Sequence, residues 1–152
     1  MKKIIILIPV FNDWDSLKKL IYEINENIKD YDNIDFECLI VNDSSTVEQP
    51  QLSRPKNIKT LKILNMKENK GHARCNAFGI RYVFKKKEFD NLILMDGDGE
   101  DRPVEIKSLV NEVLKNPNIS VVARRIKRSE GTFFNYYIKY IKLLPIYLQE
   151  KK

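Results

Sequence analysis

The residues best placed to do chemistry form one short acidic stretch in the second half of the chain. An apolar run, residues 92–95, is followed at 96–103 by Asp-Gly-Asp-Gly-Glu-Asp-Arg-Pro. Four carboxylates within six residues repel one another, and a hard divalent cation held by oxygen ligands offsets that repulsion. Glycines between the acids let the backbone turn tightly and approach a ligand. The stretch predicts a divalent-cation site at Asp96 and Asp98, and the alternative is an acidic turn that caps the next helix.

This stretch is expected at the carboxyl end of a buried strand. Residues 92–95 are apolar without alternation, as in strands that are covered on both faces of a parallel sheet. Open α/β sheets hold their ligand crevices at the carboxyl ends of such strands. Pro103 is expected in the first turn of the helix that follows.

Strand and helix patterns alternate along the chain, which indicates an α/β fold with a mostly parallel, Rossmann-like sheet flanked by helices. We predict strands over 3–10, 36–41, 58–64, 91–95 and 119–123. We predict helices over 72–86 and 104–114, an earlier one capped by Asp15 or Ser16 and ending near residue 28, and a last one over 132–148. Pro9 should mark the exit from the first strand, because proline cannot donate to a central ladder. The predicted core-facing residues are Leu17, Leu20, Ile21, Ile24 and Ile28 on the first helix, and Ala73, Ala77, Ile80 and Phe84 on the second.

Composition and length restrict the class of protein. The 152 residues, 43% of them hydrophobic, fit a globular protein. We divide it into an α/β domain over 1–131 and an aromatic, amphipathic C-terminal helix over 132–152. Cys38 and Cys75 lie in apolar surroundings and are expected to be buried thiols in a reducing compartment. The charged and apolar N-terminus lacks the small-residue cleavage site of a signal peptide, and the net charge of +6 suits anionic partners.

Polar residues recur where the predicted strands end. Asp43 follows the second strand with its side chain free to accept hydrogen bonds from a ribose or a base, and an Asx turn is the alternative. Gly71 opens a helix whose N-terminus offers backbone N–H groups to phosphate, and Arg74 could add a charge-assisted hydrogen bond. A common turn explains the same Asn-x-Gly pattern. If the sheet is parallel, these strand ends surround one crevice.

Two further groups have both a functional and a plain structural interpretation. His72, the only histidine, could contact a phosphate or the cation site, or face solvent in the first helical turn. Arg125 and Arg128 could clamp a phosphate or diphosphate, or belong to a basic surface loop. No activated serine or cysteine accompanies His72, so the sequence gives little support to nucleophilic triad chemistry.

Five segments, taken together, resemble the motifs of family 2 glycosyltransferases of the GT-A fold. Their order and spacing match from the first strand to the last predicted helix. They are residues 8–13 (IPVFND), 41–45 (VNDSS), 69–74 (NKGHAR), 95–103 (MDGDGEDRP) and 121–131 (VVARRIKRSEG), of which the last two resemble a subgroup with Gly-Glu-Asp-Arg-Pro after the Asp-x-Asp motif.

The resemblance implies transfer of a sugar from a UDP- or GDP-sugar to a lipid-linked or polysaccharide acceptor of the cell envelope, such as a polyprenyl phosphate. The donor-binding residues that it implies are Pro9, Phe11, Asp13 and Asp43, with Gly71 and Arg74 near the phosphates. Asp96 and Asp98 would be the catalytic pair and would place Mg²⁺ or Mn²⁺ on the diphosphate. Breaking the anomeric C–O bond develops charge on that diphosphate, which a cation and arginines stabilise.

The chain also departs from the family pattern. Asn42 replaces the first acid of an Asp-Asp pair, and Asp13 is shorter than the usual glutamate. The sequence stops at Lys152, whereas family members generally continue into an acceptor-binding half, which we therefore expect to be missing here.

The C-terminal segment predicts contact with a surface. Aromatic and apolar residues over 133–148 are interrupted by Lys139 and Lys142, a combination that suits a membrane interface or self-association and not a bilayer span. The expected location is cytoplasmic and peripheral, on the cytoplasmic face of the membrane.

Other functional classes remain as alternatives. A nucleotidyltransferase would normally show a Gly-rich, basic loop after the first strand, where this chain has residues 11–14 (FNDW). A donor-binding pseudoenzyme without transfer activity would keep the same motifs. Nucleic-acid binding is not expected, because the basic segments belong to no recognised module.

Overall fold

Strands and helices alternate in the computed structural model, which describes residues 1–86, 88–98 and 101–116. The predicted fifth strand, Arg125, Arg128, the boundary after residue 131 and the predicted C-terminal helix lie outside these residues. None of the helices in the described ranges is long and apolar enough to cross a bilayer. The elements are β1 (Lys2–Val10), α1 (Trp14–Ile28), β2 (Ile34–Asn42), β3 (Ile58–Asn65), α2 (His72–Lys86), β4 (Asn91–Leu94) and α3 (Glu105–Lys115).

The described strands form one parallel sheet in the order β3-β2-β1-β4. Residues of β1 alternate between two apolar layers: the even-numbered isoleucines from Ile4 to Ile8 pack with α1 and α3, whereas Ile5 and Leu7 pack with α2. The predicted α/β class and parallel sheet are therefore confirmed.

Pro9 does not end β1, contrary to the prediction. It lies inside the strand, paired with Val41 of β2. On the other side β4 pairs with β1 only as far as Leu7, whose carbonyl accepts the N–H of Met95 at 3.0 Å. Backbone groups of alternate residues in a strand point to the same side, so the Pro9 nitrogen points towards β4, as the Leu7 carbonyl does. The pairing of β4 with β1 ends at Leu7, so the missing N–H of Pro9 costs no hydrogen bond between these strands.

Helix α1 starts earlier than predicted, because its cap is Asp13. The Asp13 side-chain Oδ1 accepts the backbone N–H of Ser16 at 3.2 Å, which satisfies a donor of the first turn. All five predicted core residues of α1 are buried, together with Trp14.

Helix α2 has the predicted bounds but faces the sheet with a different side. Its buried residues are Cys75, Gly79 and Val83, and Phe84, predicted to be in the core, is 65% exposed. The reason is the closeness of the helix to the sheet: a Cβ at Gly79 would lie 2.5 Å from Leu7 Cδ1. No side chain fits there without a shift, so α2 docks through Gly79, and of the predicted face Ile80 packs against the core whereas Ala73 and Phe84 are exposed.

Helix α3 begins at Glu105, and Pro103 lies in the turn before it instead of in its first helical turn. The turn is closed by Glu105, whose N–H donates to the carbonyl of Arg102 at 2.9 Å. Ile106 and Val110 bury this helix against the same apolar layer as α1.

Candidate donor-binding site

The carboxyl ends of β1, β2 and β4 border a cavity of about 210 Å³. Helix α2 closes one side of it, through residues of its first turn. Six of the predicted site residues line the cavity: Pro9, Phe11, Asp13, Asp43, Asp96 and Asp98; the other lining residues are Val10, His72, Cys75 and Gly97.

The acidic stretch begins directly after β4, and its residues Asp96 and Asp98 line the cavity. The Asp101 side chain accepts the backbone N–H of Asp96 at 2.9 Å. Gly97 is buried, and a Cβ there would lie 2.6 Å from the Pro9 carbonyl oxygen. The predicted close approach of a glycine is therefore observed, but it is made to the backbone of β1.

Asp43 is buried, 3% exposed. The sequence suggested that its carboxylate is free to accept hydrogen bonds from a ligand, but two backbone N–H groups already donate to it. Its Oδ1 accepts the backbone N–H of Lys70 and its Oδ2 that of Gly71, each at 2.8 Å. The N–H that Gly71 was expected to offer to phosphate is therefore directed to Asp43. An ionised carboxylate has about four acceptor positions, so Asp43 retains acceptor capacity towards the cavity that it lines.

Asn12 was not singled out from the sequence, yet it joins two loops beside the cavity. Its side-chain Oδ1 accepts the backbone N–H groups of Thr46 at 2.7 Å and Val47 at 3.1 Å. Its own N–H donates to Ser45 Oγ at 2.9 Å. Asn12 has a φ of 60°, a left-handed conformation that asparagine tolerates better than most residues. The signal in the sequence that could have identified Asn12 is an asparagine close after the end of a predicted strand.

Asn42 acts inside the fold. It is buried, its Nδ2 donates to Asn65 Oδ1 at 2.9 Å, and its Oδ1 accepts the N–H of Ser45 at 2.9 Å. It is not among the residues that line the cavity. The presence of asparagine instead of an acidic residue at position 42 therefore affects the hydrogen bonds of the loop after β2 and not the lining of the cavity.

A comparison with protein families gives a match over almost the whole chain. The sequence model of glycosyl transferase family 2 matches residues 5–151. The chain belongs to this family. The comparison with curated proteins gave no match.

Two solved structures are similar to part of the chain. A crystal structure of S. aureus TarS 1–349 has a TM-score of 0.48 and 20% identity, over 76% of this chain and 33% of that one. A crystal structure of S. aureus TarS has a TM-score of 0.44 and 18% identity, over 74% of this chain and 20% of that one. This family 2 chain thus spans a third or less of the length of either.

Asp96 and Asp98 fit the divalent cation that family 2 enzymes generally use. Both line the cavity with hard oxygen atoms, the ligands that Mg²⁺ and Mn²⁺ prefer. Within the described ranges no group of three or more His, Cys, Asp or Glu residues forms a complete cage. Mg²⁺ is commonly held by one or two carboxylates, with water and other oxygen ligands completing its shell, so two carboxylates are a sufficient protein donor set for such a cation.

Of the basic residues considered as phosphate contacts, Arg74 and His72 occupy different positions relative to the cavity. Arg74 is exposed on α2 and, like Gly71, does not line the cavity. His72 does line it, and its Nε2 lies 3.2 Å from Asp96 Oδ1. His72 therefore meets both interpretations: it is exposed in the first turn of α2, and it lies beside Asp96.

Cys75 lines the cavity as a neutral thiol. Burial, with the nearby Asp43 carboxylate as the second cause, raises the pKa of Cys75 to about 11. The thiol donates to the carbonyl of Val41 at 3.4 Å. Since the thiolate is the nucleophilic form, Cys75 is a packing residue here. The predicted burial of both cysteines is confirmed.

Proposed function

We propose that the cavity binds the diphosphate and nucleoside of a UDP- or GDP-sugar, and that the chain supplies the donor-binding part of a glycosyltransferase. The observation behind the proposal is the convergence of Asp13, Asp43, Asp96 and Asp98 on one cavity at the carboxyl edge of a parallel sheet, in a family 2 chain. Ligands of open α/β sheets bind at this edge.

The charge of the cavity supports a cation-dependent mode of binding. Its lining includes four aspartates and, among the residues that the structure describes, no lysine or arginine. A diphosphate brought to these carboxylates is repelled unless a cation lies between them. The residues that would hold the cation are Asp96 and Asp98, and Mg²⁺ or Mn²⁺ bound there would offset negative charge on the leaving diphosphate.

The remaining lining residues have roles that follow from their chemistry. Phe11 is 46% exposed and offers a ring face against which a base can pack. Asp13 and Asp43 offer acceptors to ribose hydroxyls or to base N–H groups. Arg125 and Arg128, which lie outside the described residues, remain predicted contacts to the phosphates or acceptor.

The proposal is tested by calorimetric titration of the chain with UDP and GDP, in Mn²⁺ and in EDTA. We expect binding in Mn²⁺ that is lost or strongly weakened in EDTA, and an increase in melting temperature with ligand concentration. Asp98→Ala should remove the metal-dependent part, whereas Asp32→Ala, at an exposed aspartate away from the cavity, should not. Equal nucleotide affinity with and without metal would contradict the assignment. Release of UDP or GDP from the donor on addition of a polyprenyl phosphate then separates a transferase from a donor-binding pseudoenzyme.

For the location of the protein we propose the cytoplasmic face of the membrane, with residues 133–148 as the contact. The sequence argument is the combination of aromatic residues with Lys139 and Lys142, which suits anionic head groups. Flotation with anionic vesicles should recover the chain, neutral vesicles should recover less, and Lys139→Glu with Lys142→Glu should abolish the difference. If the unaltered chain ignores anionic vesicles and associates with itself, the segment is an interface between copies.

A further inference from the structure

His72 has a position that the proposed binding mode does not use. It is the first residue of α2, and of the described residues that line the cavity it is the one whose side chain contains a nitrogen donor. Its Nε2 lies 3.2 Å from Oδ1 of Asp96, one of the two residues proposed to hold the cation. The side chains of His72 and Asp96 are 58% and 41% exposed, so as an ion pair they would add little to stability. Their contact is better suited to orientation than to stability.

A second residue faces the same ring nitrogen. Asn76, one turn along α2, places its amide Nδ2 2.9 Å from His72 Nε2. The amide Oδ1 of Asn76 is buried and has no hydrogen-bond partner. In a neutral imidazole each nitrogen is either a donor or an acceptor. The state of Nε2 therefore decides which of its two neighbours it can bind well.

Of the two neutral forms of the imidazole, only the one with a proton on Nε2 can donate to Asp96 Oδ1. If Nε2 lacks a proton, it accepts from the Asn76 amide and presents a lone pair to Asp96. If Nε2 carries the proton, it donates to Asp96 Oδ1, and a half-turn of the Asn76 amide brings the unpartnered Oδ1 to the same N–H. In the second arrangement the single Nε2–H is shared by Asp96 Oδ1 and Asn76 Oδ1, and the Asn76 NH₂ group takes the buried position.

We propose that His72 is a positioning residue that holds the Asp96 carboxylate through its Nε2–H, in an orientation suited to binding the cation. The proposal rests on the proposed function, because Asp96 needs this orientation only if it binds metal. Groups that hydrogen-bond to a metal ligand fix its geometry, and their loss typically costs about 10- to 100-fold in metal affinity.

The test is Mn²⁺ affinity in the presence of UDP, measured by electron paramagnetic resonance on the full chain. We expect His72→Ala to weaken Mn²⁺ binding by about tenfold or more, with its melting temperature and its residual UDP affinity in EDTA unchanged. His72→Gln should recover most of the loss, because its amide N–H can reach the position of Nε2. Arg81→Ala, at an exposed α2 residue outside the cavity, is the matched control and should behave as the unaltered chain.

Three results would overturn the positioning role while metal-dependent UDP binding of the unaltered chain persists. They are an unchanged Mn²⁺ affinity in His72→Ala, an equal loss of UDP affinity in Mn²⁺ and in EDTA, and a His72→Gln variant as weak as His72→Ala. If the unaltered chain binds UDP and GDP without regard to Mn²⁺, the proposed function itself fails, and the role of His72 fails with it.

Discussion

Gly71 donates its backbone N–H to Oδ2 of Asp43 at 2.8 Å, across 28 positions of the chain. The neighbouring Lys70 makes the matching bond to Oδ1. These two bonds attach the loop before α2 to the end of β2, so Asp43 shapes the cavity as well as lining it. The φ of +81° at Gly71 allows the turn that aims its N–H at the carboxylate.

Asp43→Ala should lower both stability and nucleotide affinity. Two backbone donors lose their acceptor, and because the loop that contains them is partly exposed, water replaces some of the interaction. We expect a decrease of about 1–3 kcal/mol in the free energy of unfolding, measured by urea denaturation, and weaker UDP binding in Mn²⁺. Asp32→Ala, which removes an exposed carboxylate, is the control. A variant as stable as the parent would show that the loop does not depend on Asp43.

Asn12 should be sensitive to substitution for two separable reasons. Asn12→Gly removes the side-chain bonds to Thr46 and Val47 but accommodates the φ of 60°. Asn12→Ala removes the bonds and adds a strain of about 1 kcal/mol. We expect urea denaturation to show a lower free energy of unfolding for both variants, with the larger decrease for the alanine variant. Both should also bind nucleotide more weakly, because the neighbours of Asn12 in the chain, Phe11 and Asp13, line the cavity. Equal stabilities of the two variants would mean that the loop changes its backbone conformation.

Gly79→Ala should be destabilising because its Cβ would clash with two side chains of the sheet, Leu7 and Val41. The added Cβ would lie 2.5 Å from Leu7 Cδ1 and 2.9 Å from Val41 Cγ2, and overpacking of this kind typically costs about 1–3 kcal/mol. Leu7→Val removes the nearer atoms, so the double variant should be more stable than the sum of the single effects predicts.

The control for that cycle is Gly71→Ala. It is strained by its φ of +81° but meets no atom within 4 Å, so it should show no coupling to Leu7→Val. Urea denaturation of each member of the two cycles gives the coupling free energies. Additive effects at Gly79 and Leu7 would contradict the close approach of α2 to β1.

Both thiols should be unreactive in the folded protein and should make it less stable at alkaline pH. Burial raises the pKa of Cys38 to about 12 and, as the larger cause, that of Cys75 to about 11, from an ordinary value of 9.0. Above pH 9 the unfolded chain ionises and the folded chain does not, so each thiol lowers the free energy of unfolding by up to about 1.4 kcal/mol per pH unit. The decrease continues until pH reaches the folded pKa.

The thiol prediction is checked by reaction with a disulfide reagent at pH 8 and by urea denaturation between pH 7 and 10. Cys75→Ala should make the decrease in stability with pH shallower than in the parent. Rapid labelling of Cys75 in the folded chain would show that the cavity admits the reagent and that the thiol is ionised there.

Local patterns in the sequence were sufficient to predict the alternating elements and much of the core. The apolar residues of α1 recur at helical spacing, and all five that were predicted to face the core are buried. The bounds of α2 were predicted correctly because a glycine turn precedes it and basic residues end it. The acidic stretch and the polar residues at strand ends were identified from residue type and from order along the chain alone.

The sequence did not reveal which groups these elements bring into contact. The facing side of α2 depends on how closely the helix approaches Leu7, and a helix that docks through Gly79 buries Cys75 and Val83 and exposes Phe84. The partners of Asp43 and Asn12 lie 27 to 35 positions away. Local propensity contains no information about such distant hydrogen bonds.

The amino-acid sequence by itself determined the class of fold, the family motifs and the residues that are proposed to bind a cation or a nucleotide, because these depend on periodicity and on chemical type. The tertiary structure decided that β1 lies between β2 and β4. That order places the loops after the three strands at one edge of the sheet, where Asp13, Asp43 and Asp96 line the same cavity. Such proximity arises from strand pairing across the whole chain, which no single segment of the sequence specifies.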